Sequence, residues 1–220
     1  MKSSNEKTDS EEISAVRKQI KSLLSDFYPT SPQYRAYTQA DKRISKRTKR
    51  MNSILTALHE STPLIEEFPP RFRLVTLANR YLFYVETFGN FYVNIALLLL
   101  VGRGHALHLM PDYKHRYVRH ATTLEDIESP TLSLAVKLDF LESHKLSFFK
   151  KWIDTTLRNR IAHADFTIND DGSLSYADAK GRKKSTDLRK EMSCFEDYLK
   201  AISKAFLEEV RTSLSQDKLS

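Results

Sequence analysis

Along most of this chain the apolar residues recur at steps of three and four, the spacing of one helical face. From Ile13, the positions Val16, Ile20, Leu23, Leu24 and Phe27 predict a first helix that Tyr28-Pro29 stops. Thr30-Ser31-Pro32 opens a second, with proline near its first turn. In it Tyr37, Ile44, Met51 and Leu58 recur every seven residues beside Tyr34 and Leu55, a stripe suited to lengthwise packing on another helix. Thr62-Pro63 and Phe68-Pro69-Pro70 then frame a linker. A long apolar helix is expected from about Arg71, ending at Gly102-Arg103-Gly104.

The second half continues the pattern. Thr122 or Thr123 can cap a turn through Ile127, and Ser129-Pro130 starts a helix over 131–143. Leu132, Ala135, Val136, Leu138 and Leu141 make its expected buried side. After His144 another helix carries Leu146, Phe149, Trp152, Ile153, Leu157 and Ile161, with Arg158, Asn159 and His163 partly off that stripe. Phe166-Thr167-Ile168, Asp170-Asp171-Gly172 and Leu174-Ser175-Tyr176 read as a β-hairpin. A basic loop, Lys180 to Lys184, leads to a final helix starting at Ser185 or Thr186 and carrying Leu188, Met192, Phe195, Leu199, Ile202 and Phe206. The expected fold is all-α with one β-hairpin after the helix that holds His163. Residues 1–12 are expected to be a disordered tail, 13–62 a basic helical extension and 63–220 the main helical body.

One stretch tests this picture. Tyr81 to Val101 spans 21 residues with Glu86 as its only formal charge, long enough for a membrane span. Glu86, Asn90 and Asn94 nevertheless recur every four residues and draw a polar stripe that is costly in lipid. A core helix is the better reading, and no membrane partner is expected. The stripe either meets solvent or a neighbouring helix, or it faces the later motif helix and orients its polar side chains.

Charge points toward an acidic partner. The net charge is +7 and the pI near 9.3, which suits RNA, although a solvated basic face has the same composition. Arg35, Lys42, Arg43, Lys46, Arg47, Lys49 and Arg50 face only Asp41 on the second helix, with Tyr34 and Tyr37 nearby for stacking. Arg43, Arg47 and Arg50, with Arg160 and the tip residues Lys180, Arg182, Lys183 and Lys184, are the candidate RNA contacts. The segment with His105, His108, Arg116, Arg119 and His120 offers no acidic or thiol ligand at a supporting spacing, so no metal or other cofactor is expected. A single cysteine, Cys194, excludes an intramolecular disulfide and is read as a packing residue. Met1 to Glu12 is polar, without an apolar leader, and a cytoplasmic protein is expected. No Gly-x-Ser-x-Gly turn supports a serine hydrolase, and no glycine-rich phosphate loop is present.

The chemistry concentrates in Leu157-Arg158-Asn159-Arg160-Ile161-Ala162-His163-Ala164-Asp165. An imidazole can move the proton of a ribose 2′-hydroxyl, and a guanidinium can steady the charge growing on the phosphate. A plainer reading fits the same residues: Asp154 precedes Arg158 by four, the order of an intrahelical ion pair, and His163 suits a helix carbonyl end. On a straight helix Asn159 and His163 lie about 40° apart, but Arg158 lies about 140° from His163. A bend at the helix end would join them, and so would two copies sharing one cleft.

Arg158-Asn159, three residues and then His163, late in an all-helical chain, resembles the signature of the HEPN superfamily: Arg, four to six residues, then His, often with Asn, Asp or His directly after the Arg. The resemblance covers about the last two-thirds of the chain. It implies an up-and-down helical bundle that dimerises through the motif helices. It also implies a metal-independent endoribonuclease, acting as a toxin (with an antitoxin or other protein partner) or in defence, with Arg158, Asn159 and His163 catalytic. Other members of the family are non-catalytic modules that bind RNA or a partner protein, so both functions remain open.

Overall fold

The computed structural model describes residues 4–25, 27–28, 30–108 and 120–216, which are mostly helical with one small antiparallel sheet. The chain divides into two compact units, and the divisions fall inside helices. One comprises Met1–Lys42, Tyr92–Lys151 and Asp197–Ser220; the other comprises Arg43–Phe91 and Trp152–Glu196. The boundary expected at 62–63 lies within the second unit. There Ile44 and Met51 are buried, and Arg80 donates to the Leu58 carbonyl, which joins the supposed extension to the main body.

The first unit begins with α1 (Ser4–Leu23), so residues 4–12 extend a helix where a disordered tail was expected. No proline or glycine interrupts that stretch, and its Glu and Lys residues favour helix. Val16, Ile20, Leu23, Leu24 and Phe27 are all buried, as their spacing predicts. α2 (Pro32–Glu60) starts behind Ser31, whose hydroxyl accepts from the Tyr34 amide at 3.1 Å. Buried Gln33 donates to the carbonyls of Leu23 (3.1 Å) and Leu99 (3.0 Å), tying the ends of two helices to the start of a third. The second of those is α5 (Asn90–Gly102), whose last residue must be small: a Cβ at Gly102 would stand 2.9 Å from the Gln33 Cα.

α6 (Leu124–Ile127) is closed by a capping box between Thr123 and Asp126. α7 (Leu134–Ser143) is capped by Ser133, three residues later than the pattern predicts. Its face differs accordingly. Leu138 and Leu141 are buried, while Val136 is exposed and Lys137 is buried with its ammonium 2.9 Å from Asn94 Oδ1. Of the His-rich segment, His108 and His120 pair as an antiparallel bridge; Arg116 and Arg119 lie outside the described residues.

The second unit contains α3 (Thr62–Glu66), α4 (Pro70–Tyr84) and a π-helical turn, Val85–Gly89, which connects α4 to α5. Taken together, Pro70–Gly102 is apolar and long enough to cross a membrane, and 67% of its most apolar window is buried in protein. That is the behaviour of a core helix. The helix expected to run on from Leu146 is broken into α8 (Phe148–Trp152) and α9 (Thr155–Ala162), yet all six predicted apolar positions are buried. Trp152 donates to the Phe195 carbonyl at 3.2 Å.

The expected hairpin is present as β1 (Thr167–Ile168) and β2 (Leu174–Ala177), pairing Thr167 with Ser175. A third strand, β3 (Lys183–Thr186), pairs antiparallel with β2, so Lys183 and Lys184 of the predicted basic loop are in the sheet. α10 (Leu188–Gln216) then starts behind Asp187, which accepts from the Arg189 amide, and not at Ser185 or Thr186. Its apolar positions Leu188, Met192, Phe195, Leu199, Ile202 and Phe206 are buried, but Cys194 is exposed and does not pack in the core.

Candidate functional site

The motif helix is set by its two ends. At the start, Asp154 Oδ1 accepts from the amides of Thr156 and Leu157, both at 2.9 Å. Asp154 Oδ2 takes the Tyr176 hydroxyl at 3.3 Å, pinning the cap to β2. Burial first, and then the Asp154 carboxylate, raise the Tyr176 phenol well above its ordinary range, so this hydroxyl stays protonated and donates. Asp154 therefore caps α9 instead of pairing with Arg158, because an aspartate ahead of two threonines satisfies orphan amides that an intrahelical ion pair would leave open.

At the far end His163 is the C-cap. The Asp165 amide reaches back to the Arg160 carbonyl (2.8 Å) and the Ala164 amide to Ile161 (3.1 Å), a Schellman ending with Ala164 at φ 54° in the place glycine usually takes. The side chain of His163 is exposed, and among the described residues its ring has no hydrogen-bond partner. Asn159, also exposed, accepts from Arg158 Nη1 at 2.7 Å.

Arg158 lies half-buried against Glu86, which takes both Nε and Nη2. One member of the predicted polar stripe thus faces the motif helix, on the π turn that lies between α4 and α5. Asn94, which the stripe places with Glu86, is instead bonded to Lys137 in the first unit. α9 remains helical through Ala162, so no bend occurs between Arg158 and the His163 cap.

The other candidate cations differ in their surroundings. Arg160 donates to the Ala177 carbonyl at 2.9 Å and pairs with Asp165, holding the end of α9 to the sheet. Arg182 is held by Asp178, whose carboxylate also accepts from the Lys180 and Arg182 amides (2.8 and 2.9 Å). Lys180, Lys183 and Lys184 are exposed on the sheet tip. Arg43 and Arg50 are exposed on α2, and Arg47 sits 5.6 Å over the Phe91 ring. A cleft of about 330 Å³ opens from Ala164, directly after His163, and is lined along β2 and by Lys183. The sheet therefore lies beside the end of the motif helix.

Sequence reasoning missed the Asp154–Tyr176 pairing, although an Asp before Thr-Thr is a recognisable cap signal. Among the described residues no group of three His, Cys, Asp or Glu side chains is arranged to hold a metal ion. The chain matches no family model, no curated protein and no solved structure.

Proposed function

We propose that this chain is a metal-independent endoribonuclease of HEPN type, a cytoplasmic up-and-down bundle that works as a homodimer through its motif helices. His163 takes the ribose 2′-hydroxyl proton, that oxygen attacks phosphorus, and the 5′-oxygen leaves with a proton, giving a cyclic phosphate and a 5′-hydroxyl. Arg158 offsets charge on the phosphate, and Asn159 orients the guanidinium. One observation carries the reading: the guanidinium of Arg158 is fixed by Glu86 and Asn159, while the imidazole of His163, at the end of the same helix, stands exposed with no hydrogen-bond partner among the described residues. About 140° of helix rotation separates the two, so a second copy completes each site. Lys180, Lys183 and Lys184 supply backbone contacts at the rim. The resemblance to HEPN proteins adds a toxin or defence role, with an antitoxin or other protein as its restraint. The test is end-labelled RNA incubated with purified protein in EDTA: cyclic-phosphate ends support the proposal, and intact RNA overturns it.

A second reading has its own observation. Arg158 and Arg160 each face a carboxylate, Glu86 and Asp165, which suits a non-catalytic helical module binding RNA or a partner protein. It expects salt-sensitive RNA binding with no cleavage.

A further inference from the structure

The cleft that opens one residue beyond His163 lies wholly on the second unit, and its volume of about 330 Å³ is at the small end of the range for ligand sites. Strand register makes its floor. Thr167 stands opposite Ser175, and Ala177 opposite Lys183. Residues two apart on a strand share a face, so these four side chains lie on one side of the sheet. Three of them are small, which leaves a shallow floor between larger neighbours.

The chain leaving α9 is one wall. Its turn, with Ala164 left-handed and the Asp165 amide bonded back to the Arg160 carbonyl, brings Asp165 and Phe166 beside the floor. The Asp165 carboxylate is exposed and oriented: Arg160 holds Oδ2, and among the described residues no group donates to Oδ1. Phe166 is half-buried. In the floor, Ser175 is 5% exposed, and its Oγ accepts from Asn169 Nδ2 at 2.8 Å, which leaves its own proton to donate. Lys183 is exposed at the opposite side.

From this geometry we infer that the cleft takes one base of a single RNA strand and selects guanine, a subsite that rests on the nuclease reading above. The Watson–Crick edge of guanine carries two adjacent N–H donors beside a carbonyl acceptor. A carboxylate accepts from both donors, as Asp165 can, and a hydroxyl such as that of Ser175 donates to the carbonyl. Adenine and cytosine place a bare ring nitrogen beside their amine, which a carboxylate repels, and uracil has one N–H between two carbonyls. Phe166 offers the base an aromatic surface, and Lys183 offers the backbone a cation. Adjacent Cα atoms are about 3.8 Å apart, so His163 and the Ala164 end of the cleft reach the same stretch of strand. The selected base therefore belongs to a nucleotide flanking the bond that is cut.

The test is fluorescence anisotropy of the full chain with labelled hexanucleotides of uridine that carry guanosine, adenosine, cytidine or uridine at one central position. Every 2′-hydroxyl is methylated, so none can attack and binding is read without cleavage. The guanosine strand is expected to bind about tenfold more tightly than the other three, the discrimination of one bidentate contact. Asp165→Asn is expected to bind all four alike. Its side chain is exposed and Arg160 keeps the Ala177 carbonyl, so the variant should fold. Phe166→Leu is expected to weaken all four about tenfold and keep the order. No binding, no preference for guanosine in the wild type, or an undiminished preference in Asp165→Asn overturns the subsite. Guanosine-selective binding by a chain that cleaves no RNA supports the subsite and overturns the nuclease alone; cleavage indifferent to the flanking base does the reverse.

Discussion

Glu86 and Arg158 are 72 residues apart in the chain, and the carboxylate of the first grips the guanidinium of the second at two nitrogens. The pair sets the position of the motif arginine. Glu86 sits on a π turn, where one extra residue per turn re-aims a side chain that regular helix would direct elsewhere.

Glu86→Gln keeps an acceptor for Arg158 but removes the charge that holds it. Both side chains are about a third exposed (29% and 36%), so the loss of stability is at most about 1 kcal/mol. The catalytic effect is larger: a displaced guanidinium lowers kcat roughly ten- to hundredfold with KM little changed. Steady-state cleavage kinetics beside a urea denaturation curve separate the two effects. Equal kcat in variant and wild type would show that Arg158 does not need this partner.

Ala164 occupies a left-handed position at φ 54°, one residue beyond His163. An L residue there is strained, and glycine is not. Ala164→Gly is expected to stabilise the protein by about 0.5–1 kcal/mol, after allowing for the greater freedom of glycine in the unfolded chain. Thermal or urea unfolding measures it, and a destabilised variant would contradict the Schellman ending described for α9.

Asp178 anchors the turn between β2 and β3. Hydrogen bonds from the Arg182 amide, and further donors on Arg182 and Lys180, hold its carboxyl below the ordinary value of 3.8. A depressed folded value means stability that is present above the unfolded value and lost as pH falls through the folded one. The window therefore lies in acid, below about pH 4. Asp178→Asn should be less stable than wild type near neutrality, and the difference should shrink as pH drops toward 3. Urea midpoints at several pH values check this; a constant difference would remove Asp178 from the acid response.

Much of the fold was legible because apolar spacing carries it. Val16 to Phe27, Trp152 to Ile161 and Leu188 to Phe206 are buried where their periodicity puts them. The misreadings have local causes. Asp154 can serve as a cap or as an ion-pair partner, and it caps: Oδ1 takes the Thr156 and Leu157 amides while the Tyr176 hydroxyl holds Oδ2. Strand β3 is Lys-Lys-Ser-Thr, mostly exposed, with no alternation of apolar and polar residues to announce it. Starting α7 at Leu134 exposes Val136 and buries Lys137, whose charge finds an amide that no sequence pattern links to it. The motif itself was visible, and so was a polar stripe that could face it. That Glu86, on the π turn, reaches Arg158 while Asn94 binds Lys137 was not.

Single-turnover cleavage of one labelled RNA by wild type and His163→Ala, in EDTA and with both proteins equally pure and folded, tests the central claim most directly. The wild type should release cyclic-phosphate ends, and the variant should be slower by roughly a hundredfold or more, the loss of an acid–base group. Equal rates, or no cleavage by the wild type at any concentration, would contradict it.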